Sequence, residues 1–374
     1  MKIKKILDKF KDWRFAIYAM QSIDGMAGGL VGIFIPIYFL SIGYSVPQIF
    51  IYYIINNFLI LIFFFVASWL AKNFGLVRTL FIRLLFLALN LFLLYNLKTW
   101  PRFFYLVSVL SAIEVAFYWF PLHVAFAKSA ESEKIGEHVS ELFAFPSLVG
   151  TVIPLIGAGI SSLLGFKALF IFAGIIYFIS IIAFLFVGKI PIEVKINFSR
   201  IIDYAKRYKK YFVAELFLGI SSEVEAYILP IFLFLTFNNI LSIGFLATFL
   251  GLGTAIFTLL VGKYSSRIDK KMFLRAGAIV MIVVWIGRYL SIDQVSFYML
   301  SILAGFLSAL ISVPFNSIFY INAKNNHIED FVIFREIPIS LGRIMLYSAG
   351  LFIVSQIKLS FLISVIPYVF LLFF

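Results

Sequence analysis

Five ionisable side chains, Asp24, Glu114, Glu223, Glu225 and Arg343, stand inside long apolar runs of the chain. An ionised group surrounded by hydrocarbon costs about 3 kcal/mol even on lenient scales, so each needs a partner, a water-filled cavity or a task. Four acids against one arginine suit protons or a cationic ligand, because a carboxylate in a dry site readily takes up a proton and an excess of acids attracts positive charge. Glu114 is the leading proton carrier, as it lies mid-run with no basic residue within two turns along the chain; Asp24 and Glu223 or Glu225 follow. Glu223 and Glu225 are two residues apart, about 200° around a helix, and cannot both face one cavity unless the helix is distorted. Pro230 offers that distortion, since it cannot donate to the carbonyl of Ala226.

His123 and Asn316 each follow a proline by two residues, Pro121 and Pro314, so they can bind a ligand or satisfy the carbonyls those prolines free. Arg343 has Glu336 seven residues before it, nearly on the same helix face, which favours a structural ion pair over an anion site. Asp24 lies in the glycine-rich stretch SIDGMAGGLVG, where close helix packing and a functional carboxylate are both open. Trp119, Phe117, Tyr118 and Tyr227 could stack on an amphipathic or cationic solute.

The elements that carry these residues must lie in lipid. The chain is 63% hydrophobic, 19% aromatic and only 13% charged, with mean hydropathy +1.06, which is too apolar for a water-soluble domain. Crossing about 30 Å of hydrocarbon takes roughly 20 residues of helix, and the apolar runs predict twelve spans: 15–40, 47–71, 78–96, 102–127, 139–164, 166–188, 211–236, 241–262, 272–290, 295–322, 333–356 and 359–374. The alternating pattern of a membrane β-barrel is absent. There is no cysteine, and no P-loop, His-Glu-x-x-His or Gly-x-Ser-x-Gly sequence; no enzyme activity, metal or cofactor is expected. The net charge of +13 resides in short loops and not on a nucleic-acid-binding face. With 25 of the 31 Lys and Arg assigned to one side, both termini and the basic tail Met1 to Arg14 are expected in the cytoplasm of an inner-membrane protein.

Sliding the chain on itself by about 194 positions aligns IFIPIYFL with YILPIFLF, placing Pro36 on Pro230, and FYLVSVL with FYMLSIL, followed by Pro121 on Pro314. Six helices per copy return the chain to its starting side, so the copies share one orientation. The expected organisation is a six-helix bundle over 1–188, a cytoplasmic linker over 189–210 and a second bundle over 211–374.

The loop SWLAKNFGLVRTL after the second span, with Gly75 and Arg78, and its counterpart GKYSSRIDKKMFLRAG, with Gly262, Arg267, Lys270 and Lys271, resemble the gating loop G-x-L-A-D-R-x-G-R-R-R of the major facilitator superfamily, although both lack its acid. GTVIPLIGAG in the fifth span, with Gly150, Pro154 and Gly157, is similar to that superfamily's antiporter signature, G-x-x-x-G-P-x-x-G-G. The resemblance implies an all-helical membrane fold of about twelve helices in two repeats, a central cavity lined by helices 1, 4, 7 and 10, a fifth helix bent at Pro154, and basic gating residues that pair across the two halves. It implies a monomeric secondary transporter among membrane lipids, moving a small solute by alternating access, with proton-coupled export or antiport as the first expectation. Two other readings stay open: a transport-inactive sensor or partner-binding protein of the same fold, which the missing acids favour, and a lipid translocator.

Overall fold

The computed structural model describes residues 13–181, 196–264 and 269–374. Among these, nine helices are long and apolar enough to cross a membrane: α1 (Arg14–Ser41), α2 (Val46–Phe74), α3 (Leu76–Asn96), α4 (Pro101–Ser129), α5 (Ile135–Leu163), then α7 (Lys209–Phe237), α8 (Ile240–Lys263), α9 (Lys270–Leu290) and α10 (Gln294–Lys324). Three more complete the set. α6 (Phe166–Ser180) and α12 (Leu359–Leu371) are shorter, and α11 (Ile328–Phe352) carries Glu329, Asp330, Arg335, Glu336 and Arg343 within its length. Each of the twelve spans expected from the apolar runs is therefore mainly helical in its described part, and no strand occurs among the described residues.

Packing repeats between the first six helices and the last six. The pairs α1–α5, α2–α4, α3–α4 and α3–α6 recur as α7–α11, α8–α10, α9–α10 and α9–α12, while two seams, α2–α11 and α5–α8, join the sets. Replacing each helix by its repeat partner turns one seam into the other, as a pseudo-twofold along the membrane normal requires. Pro36 and Pro230 lie on the first helix of each set, Pro121 and Pro314 on the fourth.

Both first helices deform just before their proline. α1 tightens to 3-10 geometry at Gly32–Phe34, and α7 widens into a π segment at Val224–Ile228, where the Leu229 N–H bonds the Val224 carbonyl. α5 breaks after Gly150 and restarts at Ile153, with Pro154 in the first turn of the new segment, where a proline ring disturbs a helix least.

Close approach of the helices, within the first half and across a seam, depends on glycine. A Cβ on Gly157 would lie 2.5 Å from the Leu30 carbonyl oxygen, and one on Gly262 would collide with Ser140 across the α5–α8 seam. Gly75 joins α2 to α3 with φ +91°, a conformation L side chains adopt poorly. This turn and that at Gly43, between α1 and α2, mark opposite ends of the bundle, called here the Gly75 face and the Gly43 face. At the Gly75 face a short helix, Phe198–Arg207, precedes α7. Arg200 is 2.6 Å from Asp330 of α11, and Phe198 stacks on Phe65 of α2 at 5.0 Å. The segment expected as a linker thus touches both halves; its first part, 189–195, lies outside the described residues.

Candidate functional site

Each of the four acids singled out in the sequence meets an arginine. Arg83 of α3 donates to both oxygens of Asp24, at 2.8 and 3.1 Å, and from Nη2 to Glu114 at 3.0 Å. Its guanidinium lies over the Tyr118 ring, 4.3 Å from the centroid, and Ser180 of α6 donates to Asp24. Arg83 is buried, so one guanidinium serves two carboxylates in the core of the first half. No basic residue lies within two turns of Glu114 along its own helix, but α3 delivers one from beside it.

Glu223 and Glu225 diverge as their spacing requires. Glu223 faces α11, with Arg343 Nε at 3.1 Å and the Tyr347 hydroxyl donating at 2.6 Å. Glu225 takes two bonds from Arg288 of α9, at 2.6 and 3.0 Å, and Arg288 also reaches Ser301. The π segment begins between them, at the distortion expected near Pro230; such single-turn widenings often occur at functional sites. Arg343 does pair with an acid, but with Glu223 and not Glu336, whose carboxylate instead accepts from Ser340 at 3.2 Å. Arg343 also approaches Asn57 of α2 at 3.5 Å, across the seam.

His123 and Asn316 converge on one cation. Arg335 donates to Asn316 at 3.0 Å and to Glu215 at 2.7 Å, and lies 3.4 Å from His123 Nε2. The Tyr320 hydroxyl is 2.7 Å from His123 Nδ1, and Trp119 stacks on the imidazole at 5.2 Å. Glu215 also accepts from Tyr211. Tyr227 and Tyr53 bring their rings together from α7 and α2, 4.6 Å apart.

Arg83, Arg288, Arg335 and Glu215 were missed in the sequence as site residues. The three arginines fall within about two turns of a helix end, where long basic side chains normally reach back to the interface; here they turn inward. The expectation of four acids against one arginine becomes six acids, Asp24, Glu114, Glu215, Glu223, Glu225 and Glu336, against Arg83, Arg288, Arg335 and Arg343. Most of the charge is internally neutralised, which removes the main argument for a cationic ligand. The surplus resides in the Asp24–Arg83–Glu114 triad and at Glu336.

Two cavities adjoin these groups. One, of about 490 Å³, runs between α5 of the first half and α7, α8, α10 and α11 of the second, and is lined by Glu215, Glu225, Arg335, Arg343 and Asn316 among others. A smaller one, of about 230 Å³, lies between α2, α4 and α7 beside Tyr53, Asn57, Trp119 and Tyr227. Ser222 and Arg343 line both.

The gating loops behave differently from the expectation. Arg78, Lys270 and Lys271 form no side-chain ion pair among the described residues, and Arg267 lies outside them. Contacts across the halves at the Gly75 face come instead from Lys128 to Glu329 and from Lys324 to the carbonyls of Ala127 and Ala130 at the end of α4. A cation there also complements the negative end of the helix dipole. At the other face, Tyr53 and Tyr347 stack at 5.0 Å and Phe50 packs on Gly350.

A family model described as Major Facilitator Superfamily matches residues 17–200. Among solved structures, the human organic anion transporter MFSD10 (TETRAN) is similar at 13% identity, with TM-score 0.69 over 97% of this chain and 99% of that one. The Escherichia coli fucose:proton symporter FucP is similar at 12% identity, with TM-score 0.71 over 96% of this chain and 97% of that one. No curated protein sequence matches the chain. The first half of this multi-pass membrane protein, residues 17–200, thus matches the Major Facilitator Superfamily, and the chain shares its fold with transporters of known structure over nearly its full length.

Proposed function

We propose that the protein is a proton-coupled transporter that exports a small solute in exchange for protons, by alternating access, from an inner membrane with both termini in the cytoplasm. The observation that carries the reading is Arg83 shared by Asp24 and Glu114. When both carboxylates are ionised the triad has one uncompensated negative charge in the bundle; a proton on Glu114 leaves a neutral Asp24–Arg83 pair and a neutral acid. Uptake of that proton at one face and its release at the other would couple the gradient to movement of the halves, 1–188 and 211–374, about the two seams. Export is favoured by the break in α5 at Gly150–Ile153, where the antiporter-like signature lies.

The rival reading, a transport-inactive sensor, draws on the gating-loop cations that have no acid partner among the described residues. Reconstitution separates the two. Purified protein is first screened for solutes that raise its thermal stability, since ligand binding to the folded state does so, and a stabilising solute is then followed in proteoliposomes with and without a pH gradient. Accumulation driven by the gradient in the wild type, abolished in Glu114→Gln while gradient-free exchange persists, supports the proposal. Binding without movement of solute overturns it in favour of the sensor, and gradient-driven movement that survives Glu114→Gln removes this residue from coupling.

A further inference from the structure

The 490 Å³ cavity has a hydrogen-bonding character that follows from its own helices. Four hydroxyls on its wall donate their single hydrogen back to a carbonyl of the preceding turn: Ser147 to Phe143 at 2.9 Å, Ser222 to Gly219 at 2.9 Å, Thr254 to Leu250 at 2.9 Å and Ser308 to Gly305 at 3.1 Å. A carbonyl can only accept, so in each case the hydroxyl is the donor and what remains toward the cavity is lone pairs. Thr258, fully buried on the same wall, has no hydrogen-bond partner for Oγ1 among the described residues. A buried hydroxyl left without a partner costs about 1–3 kcal/mol, which a ligand can relieve. The wall therefore asks for a ligand rich in donors.

Charge narrows the class further. Of the ionic groups that line the cavity, Glu215 is engaged by Arg335, Glu225 by Arg288 and Arg343 by Glu223. An ammonium or a carboxylate on the ligand would find each opposite charge already paired, and would bring a bare charge into a site screened from water. Neutral hydroxyls satisfy the acceptor wall at no such cost. The rings of Phe143 and Phe315 on the same lining supply apolar surface for C–H groups, and the volume lies within the usual range of about 300–1,000 Å³ for small-molecule sites.

We infer that this cavity, enclosed mainly by the second half and closed by α5, binds a neutral polyhydroxylated solute of mono- to disaccharide size, with Thr258 and the back-bonded hydroxyls as its recognition wall. The inference rests on the transporter reading only for its meaning, since binding is measured without transport. Purified full-length protein is titrated by thermal shift with three panels: neutral sugars and sugar alcohols (glucose, trehalose, mannitol), donor-rich amines (tyramine, spermidine) and organic anions (succinate, citrate). Stabilisation by at least one polyol and by neither charged panel is expected. Thr258→Val, which keeps the shape and removes the hydroxyl, should weaken that binding roughly two- to tenfold, the worth of one hydrogen bond, and Ser308→Ala should do likewise. Stabilisation by amines or anions alone, by none of the panels, or by polyols with undiminished affinity in both hydroxyl variants overturns the inference. Polyol binding in a protein that moves no solute would leave the inference standing and overturn the transporter reading.

Discussion

Arg83 and Arg288 look alike in being buried and carboxylate-bound, yet their neighbourhoods predict opposite responses to mutation. Arg288 is fully buried, and Glu225 is its sole carboxylate partner among the described residues. Removing that acid in Glu225→Leu strands a cation in the bundle and should destabilise by about 3–5 kcal/mol, whereas Glu225→Leu with Arg288→Met replaces charge by packing and should recover most of the loss. Thermal unfolding in detergent measures both. Arg83 keeps a bidentate partner in Asp24 when Glu114 is neutralised, so Glu114→Gln should leave stability within about 1 kcal/mol of the wild type. A loss as large as that of Glu225→Leu would make Glu114 a scaffold residue and not a proton carrier.

At the scale of the helix, α7 carries three acids toward three different arginines, and it can do so because it is irregular. Glu215 lies one turn inside its Gly75 end and meets α11; Glu223 also meets α11; past the onset of the π segment, Glu225 meets α9. The regular part must then hold its register tightly against α11. Gly219 provides that contact, as a Cβ there would lie 2.6 Å from the Ile339 carbonyl oxygen and 3.1 Å from its Cα. Both are backbone atoms that cannot swing aside, so Gly219→Ala should destabilise by about 1–3 kcal/mol through separation of the two helices. Gly150→Ala is the control: nothing lies within 4 Å of its Cβ position, and unfolding should be unchanged or slightly later. Equal losses in the two variants would show that backbone entropy and not packing governs.

The whole molecule poses two questions, which way it faces and what holds it shut. Although Arg83, Arg288 and Arg335 leave the loops for the interior, the excess of Lys and Arg at the Gly75 face survives their removal, and it predicts a cytoplasmic Gly75 face. Because the chain has no cysteine, single cysteines can report this cleanly at Lys98, Ser199 and Asn239, all exposed. An impermeant reagent on intact cells should label positions 98 and 239 and spare 199; the reverse pattern would invert the topology. The same background tests the closure at the Gly75 face. Lys324 joins α10 to the end of α4 through two carbonyls, so Lys324→Ala should speed labelling of a cysteine at Ser147, on the cavity wall. An unchanged rate would place the barrier elsewhere, at the α5–α8 seam.

What the sequence determined by itself is what lipid imposes locally. Apolar runs long enough to cross hydrocarbon must be helical, because an unpaired backbone has no water to bond there, and the twelve spans and the repeat of Pro36 and Pro121 in Pro230 and Pro314 followed from that. The 200° between Glu223 and Glu225, and the distortion ahead of Pro230, were equally legible, since helix geometry and a missing N–H act within a few residues. The partners of the acids were not. Asp24 and Glu114 find Arg83 across 59 and 31 positions of chain, Arg335 gathers Glu215, Asn316 and His123 from three helices, and a basic residue near a helix end reads alike whether it turns to the interface or to the core. Tertiary structure alone decides that choice, because the stability of a buried ion pair depends on which neighbouring helix brings the opposite charge within about 3 Å, and no local pattern encodes the neighbour.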